Sequence, residues 1–493
     1  MKTLYFLTIL LFLVIGGFAQ TTTDVVRFSQ STNFGTARST AMSGAFGALG
    51  GDLSVLSSNP AGIGVFRKSE ISLTLSSLLS NTKSDGRSAT DNSFQLGDLG
   101  AAIVFYSPDF DWRGFNFGIN YTNMNNFNRH TDQYVAHSLS SFSQAIAHRA
   151  NYDIEYDFAP SIMEDIASQS NVILMDDATG FYSPAFIGAN QWKTIKEDGY
   201  QGEYTFSVGT NYKDKLYLGL SIGLQSIYYK SKSMYTETPD KDNPYELNYF
   251  DYMEQLKTTG VGTNVKFGVI YRPIPELRLG AAIHTPTYYS MTDRFYCDMF
   301  SSYKTPDAEG YYNYLSEPYE YKFDYELRTP WRALLSIATV IQQKAILSVD
   351  YEYIDYTSAK LSNGDGNYDF YDSEAGTGTN NDIKRYLRST HNVRIGAEYR
   401  YNSLFSLRGG YSCYASPYKY DKDLHKLQTV SAGFGLNFGQ FYCDVAYLYK
   451  FSKDTTLFYS YLDPDDAQYD VVSEAVSNKY NNHEARITLG IRF

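Results

Sequence analysis

From about Arg67 to its last residue the chain alternates apolar and polar side chains with a period of two. In Thr429 to Phe438, residues Val430, Ala432, Phe434, Leu436 and Phe438 share one face of an extended strand, and Thr429, Ser431, Gly433, Gly435 and Asn437 share the other, because successive side chains of a strand point to opposite sides. The same holds for Leu216 to Leu224, Val393 to Tyr401 and Ala485 to Phe493. A soluble sandwich alternates too, so the connections decide. Ser107 to Asp111 precedes the long stretch Asn125 to Tyr200, Lys213-Asp214 precedes Ser231 to Phe250, and Arg272 to Pro275 precedes Thr292 to Pro318. Gln342-Gln343, Tyr401 to Ser403 and Gly439-Gln440 likewise precede Ser362 to Tyr386, Pro417 to Leu424 and Ser452 to Asn482. Tight turns that take turns with long loops are the connectivity of an outer-membrane barrel, and a sandwich has no reason for it. The expected fold class is all-β: a transmembrane antiparallel β-barrel of about fourteen strands, an even number that returns the C-terminus to the periplasmic side. The barrel is expected over residues 67–493, with 125–200 as its longest external connection. Within that connection, Ser138 to Ala150 and Ser161 to Gln169 have helical spacing, so it reads as an extracellular lid.

The start of the chain sets the compartment. Lys2 is followed by an apolar run from Leu4 to Ile15, broken by Thr8, and by small residues at Gly17-Phe18-Ala19. This is a secretory signal peptide over residues 1–19, too short to span about 30 Å of hydrocarbon. Nothing after Gln20 approaches the roughly 18 continuous apolar residues of a membrane helix. A count of 47 Tyr and 31 Phe, with a negative mean hydropathy, suits a barrel whose lipid face is apolar, whose lumen is polar and whose rims carry aromatic girdles. The expected location is the cell outer membrane, with outer-membrane lipid around the barrel. Phe493, after Leu489 and Ile491, reads as the aromatic end of a last strand that barrel assembly machinery recognises.

A net charge of -12 argues against a nucleic-acid partner. Cys297, Cys413 and Cys443 make no disulfide framework. The seven histidines lack zinc-site spacing, and no metal or cofactor is expected. The enzyme alternative, an outer-membrane lipid hydrolase, would rest on Ser389-Thr390-His391-Asn392. On a strand, Ser389 and His391 share a face that Asn392 does not, so these residues make no triad. A structural barrel or adhesin is a third class, against which stands a plug-like N-terminus. The acidic stretches Thr238 to Pro244 and Asp463 to Asp466 read as solvated turns.

Residues 20–66 do not alternate. Gly35 to Asp52 is rich in Gly and Ala, and Ser57-Ser58-Asn59-Pro60-Ala61-Gly62 follows. A phosphate-binding loop needs a preceding strand and a closing Lys-Ser or Lys-Thr, both missing here. With its Asn59-Pro60-Ala61 tripeptide, and with Leu277-Arg278-Leu279-Gly280, Thr285-Pro286, Thr329-Pro330-Trp331 and Asp350-Tyr351-Glu352-Tyr353, the chain resembles the FadL/TodX family of outer-membrane channels for hydrophobic compounds. The resemblance implies a monomeric barrel whose N-terminal segment folds inward as a hatch, passing hydrophobic small molecules, with long-chain fatty acids first. It also implies release sideways through an opening at a kink in the third strand. That strand is expected over Trp112 to about Met124, where the alternation dissolves in Thr122-Asn123-Met124-Asn125-Asn126. A bulge and a plain strand end are both compatible with this. Asn59, Pro60, Ala61 and Gly62 would form a stiff elbow between hatch and wall. Phe46, Leu49, Leu53 and Leu56 are the candidate ligand contacts, or equally plug packing. Members of the family also carry a hemin-receptor label, and haem iron accepts His or Tyr. The alternative solute is therefore hemin, with His130, His137 and His148 in the expected lid.

Overall fold

A computed structural model of the protein describes residues 21–185, 188–240, 246–363 and 378–493; the expected signal peptide lies outside them. Fourteen strands form a closed antiparallel barrel. They are β1 (Glu70–Ser84), β2 (Arg87–Tyr106), β3 (Trp112–Asn126, continued as Arg129–Ser138), β4 (Ala189–Tyr212), β5 (Leu216–Thr238), β6 (Leu247–Ile274) and β7 (Leu277–His284 and Tyr288–Tyr303). The other half holds β8 (Tyr319–Arg328 and Arg332–Ile341), β9 (Ala345–Asp355), β10 (Ser389–Arg400), β11 (Phe405–Tyr414), β12 (Leu427–Asn437), β13 (Phe441–Thr456) and β14 (Val476–Arg492). The seam closes where β14 pairs with β1, from Glu70 opposite Arg492 to Ser84 opposite Asn478. Phe493 extends that seam, its N–H donating to Ser69 O (3.0 Å).

The alternation sorts as the sequence requires. Leu220, Ile222 and Leu224 on β5, Val261, Val265 and Phe267 on β6, Leu335 and Ile337 on β8, and Ile487 and Leu489 on β14 are exposed on the outer face. Their neighbours in sequence turn polar groups such as Ser221, Asn264, Lys266, Ser336 and Arg486 into a buried lumen. An apolar belt around the whole circumference is untenable in water and suited to hydrocarbon. No helix among the described residues is long and apolar enough to cross a membrane.

The periplasmic turns fall where the spacing puts them. Lys213-Asp214 and Gln342-Gln343 have positive φ at both central residues, the geometry that matches strand twist in a two-residue hairpin. The external side differs from expectation. β4, β5, β6, β7 and β13 run well past the points where their apolar alternation stops, and β3 resumes as far as Ser138 to pair with β4. Above the membrane a strand no longer needs an apolar outer face, yet its backbone groups still gain from the ladder. One external connection is itself tight: Asp85-Gly86 joins β1 to β2.

Three short helices, α1 (Thr22–Ser29), α2 (Ala37–Ala41) and α3 (Val55–Ser58), precede β1. Two more, α4 (Phe142–Glu155) and α5 (Ile162–Gln169), build the lid. Phe142, Ile146, Ile166 and Val172 pack there against Tyr235, Phe250 and Met299 on the strand tops and Tyr459 from the last external loop. Glu237 holds the start of α4, accepting from Ser141 Oγ (2.5 Å) and the Phe142 N–H (3.1 Å). Ser161 and Glu164 form the capping box of α5.

Candidate functional site: hatch, cavity and kinked strand

The segment before β1 fills the lumen in two layers. The lower layer is a small apolar core of Met42, Phe46, Leu49, Leu53, Val55, Leu56 and Ile63, all buried. The upper layer is α1, whose Val25, Val26 and Phe28 pack among Phe127, Tyr229, Tyr289, Met291 and Tyr325. Phe28 meets Phe127 and Tyr229 edge-on at 6.0 Å between ring centroids, a favoured aromatic geometry.

Polar wall residues fix the hatch mostly through its backbone. Arg486 donates to Gly35 O (2.7 Å), Thr488 Oγ1 accepts from the Ala37 N–H (2.7 Å), Asp350 accepts from the Gly47 N–H (3.0 Å), and Asn116 donates to Ile63 O (2.7 Å). Arg278 and Arg332 donate to Leu49 O and Ser29 O. Arg38 makes a two-pronged bond to Glu398 at 2.9 and 3.2 Å. Burial works against the charge on Arg38, and Glu398 more than offsets it, so the guanidinium pKa lies above its ordinary value.

The elbow closes the lower layer. Asn59 is extended (φ -126°, ψ 100°) and its side chain accepts from the Ala61 N–H (3.2 Å), capping a short 3₁₀ turn over Pro60–Val65. Its amide donates to Gly47 O (2.6 Å) and to Val269 O of β6 (3.3 Å). The wall makes room here with glycine: a Cβ on Gly268 would lie 1.9 Å from Asn59 Oδ1, and one on Gly219 would lie 2.2 Å from the Pro60 backbone.

Between the two layers lies a cavity that is open on one side. Phe28, Ser31, Asn33, Phe34 and Ser57 of the hatch face it, and Lys266, His284, Arg332, Glu352 and Arg394 come from the wall. Lys266 is paired with Glu203, Arg332 lies 3.8 Å from Glu352, and Arg394 lies 3.7 Å from Asp350. Arg394 Nε and Nη2 are buried and make no hydrogen bond among the described residues. A buried donor without a hydrogen bond is costly, and at Nη2 the ion pair with Asp350 offsets that cost in part.

The cavity also reaches Thr122 and Met124 of β3. There β3 breaks register, between Asn123 and Asn125. Its pairing with β2 stops at Asp98 opposite Thr122, while β2 stays paired with β1 out to Arg87. Beyond the bulge β3 turns inward: Gln133 donates to Thr456 Oγ1 (2.7 Å) and Asn478 Oδ1 (2.9 Å), which requires passing behind β2 and β1. The outer half of β2 thus lacks a backbone partner on the β3 side. Side chains span the gap instead, Asn123 donating to Gln95 Oε1 (2.8 Å) and Asn126 to Ser93 Oγ (3.1 Å). The hatch touches this kink, with the Thr32 and Asn33 N–H groups donating to Met124 O (3.1 and 3.2 Å).

Of the residues singled out in the sequence, Asn59 to Gly62 come together as an elbow against β5 and β6. Phe46, Leu49, Leu53 and Leu56 come together inside the hatch core, and none of them lines the cavity. The lid histidines are not brought to one place. His137 faces Asp240 (3.1 Å), His148 faces Tyr469 O (2.9 Å), and His130 pairs across to Lys196. No metal-binding group of His, Cys, Asp or Glu exists among the described residues. His391 bonds to Tyr351 on the outer face while Asn392 bonds to Glu352 inside, so they stand on opposite faces as the alternation requires. The cavity wall was missed. Its residues lie on separate strands, and their one sequence signal is a charge at an inward position of an apolar strand.

Fold and site together define the class: a closed outer-membrane β-barrel, stoppered from within, with a cavity beside a kinked wall strand. No family model and no curated protein matches the chain. Among solved structures it is similar to a Pseudomonas aeruginosa FadL homologue (12% identity, TM-score 0.54, covering 93% of this chain and 99% of that one). It is similar to the Pseudomonas putida toluene transporter TodX (13%, 0.53, covering 94% and 100%) and to the Ralstonia pickettii toluene transporter TbuX (16%, 0.52, covering 94% and 99%). The chain therefore has the fold of the FadL- and TodX-type channels.

Proposed function

We propose that this barrel is a passive channel for hydrophobic compounds with an acidic head, long-chain fatty acids first among them. The observation that carries the reading is the cavity between the hatch layers, which ends at the β3 kink beside the unpaired edge of β2. The hatch blocks the axial route, so a solute captured beneath the lid moves to this cavity and leaves sideways. An apolar tail suits Phe28, Phe34, Met124 and Leu334 of the cavity lining, while Arg394, which has two nitrogens without a hydrogen bond and shares the cavity with Arg332, suits a carboxylate. That polar wall favours a fatty acid over a plain hydrocarbon. The chain is proposed to work as a monomer, placed by barrel assembly machinery that reads the strand ending in Phe493.

The test is titration of the purified, detergent-solubilised protein with a fluorescent long-chain fatty acid, with competition by the free acid, its methyl ester and hemin. Displacement by the acid, weaker displacement by the ester, and loss of that preference in Arg394→Leu are expected. Stronger displacement by hemin would replace the reading, and an absence of binding would return the barrel to a structural role.

A further inference from the structure

Strand pairing sets Lys230 of β5 directly opposite Lys257 of β6, Lys257 opposite Arg294 of β7, and Arg294 opposite Lys322 of β8. All four are exposed on the outer face, since their neighbours Tyr229, Thr258 and Asp293 are buried in the lumen. Lys196 and Lys232, also exposed and also opposite each other, flank the row. Directly opposed like charges in a sheet repel, and four strands place this row within about 15 Å. Nearby acids only begin to balance it. Asp198 stands opposite Lys230 at one end, and Asp324 is bonded to Lys322 at the other (2.7 Å), with Glu320 and Glu326 exposed on the same strand. Lys230, Lys257 and Arg294 have no salt bridge among the described residues; Lys257 lies over the Tyr228 ring at 5.5 Å.

The height of the row identifies what it meets. On β6, above the periplasmic turn where Ile274 is also exposed, the exposed apolar residues run from Tyr271 to Val261. At about 3.3 Å per residue and a tilt near 40°, that stretch rises about 25 Å, the thickness of the apolar band of such barrels. Lys257 is one further pair of outward positions up, roughly 10 Å above the band, in the outer head-group layer. On the far side of the barrel, Lys453, Lys479 and Lys83 of β13, β14 and β1 are likewise directly opposed and exposed, 12 or 13 residues from the periplasmic ends of their strands against 14 for Lys230 and 17 for Lys257.

We propose that the Lys230–Lys257–Arg294–Lys322 row is a docking site for the phosphorylated sugar head of an outer-leaflet glycolipid of the lipid A class, and that the Lys453–Lys479–Lys83 row takes a second. A row this long accommodates more than one phosphate, whereas a phospholipid such as phosphatidylglycerol brings one. The anion supplies what the sheet lacks, converting mutual repulsion into shared charge-assisted bonds.

The test uses the full mature chain in detergent, with diphosphoryl lipid A, monophosphoryl lipid A and phosphatidylglycerol as probes, read by native mass spectrometry and heat-induced loss of the barrel. Two diphosphoryl lipid A molecules are expected at saturation, bound at least tenfold more tightly than phosphatidylglycerol, with the monophosphoryl form between. K230Q/K257Q/R294Q should retain one. Without lipid that variant should resist heat at least as well as the wild type, because the repulsion is gone. Arg294→Gln alone should weaken binding about threefold, and Lys344→Gln at a periplasmic turn should leave it unchanged. Unaltered lipid A binding in the single and triple variants, or equal binding of phosphatidylglycerol, would overturn the proposal.

Discussion

Replacing Asn59 by Ala removes the side chain that ties the elbow to the hatch core and to β6. Two buried backbone groups lose their partner: Gly47 O, which accepts from Asn59 at 2.6 Å, and the Ala61 N–H, which donates to it at 3.2 Å. Each such loss costs about 1–3 kcal/mol, so the closed hatch weakens by roughly 3 kcal/mol, about a hundredfold in its opening equilibrium. None of this falls on the interstrand ladder, so the barrel should still migrate differently with and without boiling. Single-channel conductance in a planar bilayer reads the difference: Asn59→Ala should show ion-conducting openings far more often than wild type. Asn59→Ser, which keeps an oxygen for the Ala61 N–H but cannot reach Gly47 O, should fall between. Wild-type conductance in a correctly assembled Asn59→Ala barrel would refute the elbow as the hatch's fastening.

Cysteines at Gln95 and Asn123, joined by a short crosslinker across the gap, should stop uptake of a hydrophobic solute and leave its binding intact; undiminished uptake would rule out the sideways exit. Gly219→Val should shift the hatch, because even a Cβ there meets the Pro60 backbone at 2.2 Å, and protease access to residues 21–66 measures the shift. Burial holds the His425 imidazole below its ordinary pKa, against the pull of Asp454 and Asp421. The opened loop therefore takes up a proton first as the pH falls. The stability this contributes is present above about pH 6.5 and is lost below it. Proteolysis of the 415–426 loop should rise between pH 7.5 and 5.5 in wild type and stay level in His425→Asn.

The barrel was legible because the membrane imposes a rule on each strand separately. Leu220, Ile222 and Leu224 meet lipid wherever their strand sits, so a local pattern reports a global fact. The same logic explains where the reading stopped. Past Val261 on β6 and past Tyr228 on β5 the outer face no longer meets hydrocarbon, the alternation has no cause, and strand looks like loop. The third strand's loss of phase at Asn123 to Asn126 could be seen, but its inward course depends on Gln133 finding Asn478, 345 residues away. The hatch was implied by the family resemblance, its small residues by themselves reporting only close backbone packing. Its division into two layers was not, because what separates them is a cavity bounded by Lys266, His284, Arg332 and Arg394, each from a different part of the wall. The pairing of Arg38 with Glu398, 360 residues on, is equally invisible to any local pattern.

The seam between β1 and β14 bears on the order of events in assembly. The stopper is made first, and its covering wall is completed last: Ala37 bonds to Thr488 and Gly35 to Arg486, each 451 residues apart. Contacts of such sequence separation form late and slowly. Until the final hairpin arrives, the stopper has only part of its socket, and its backbone groups must be met by water or by a chaperone. Closing the seam and seating the stopper are therefore one cooperative step. A lesion in the last strand, at Arg486 or Thr488, should appear as an unsealed barrel before it appears as an unstable one.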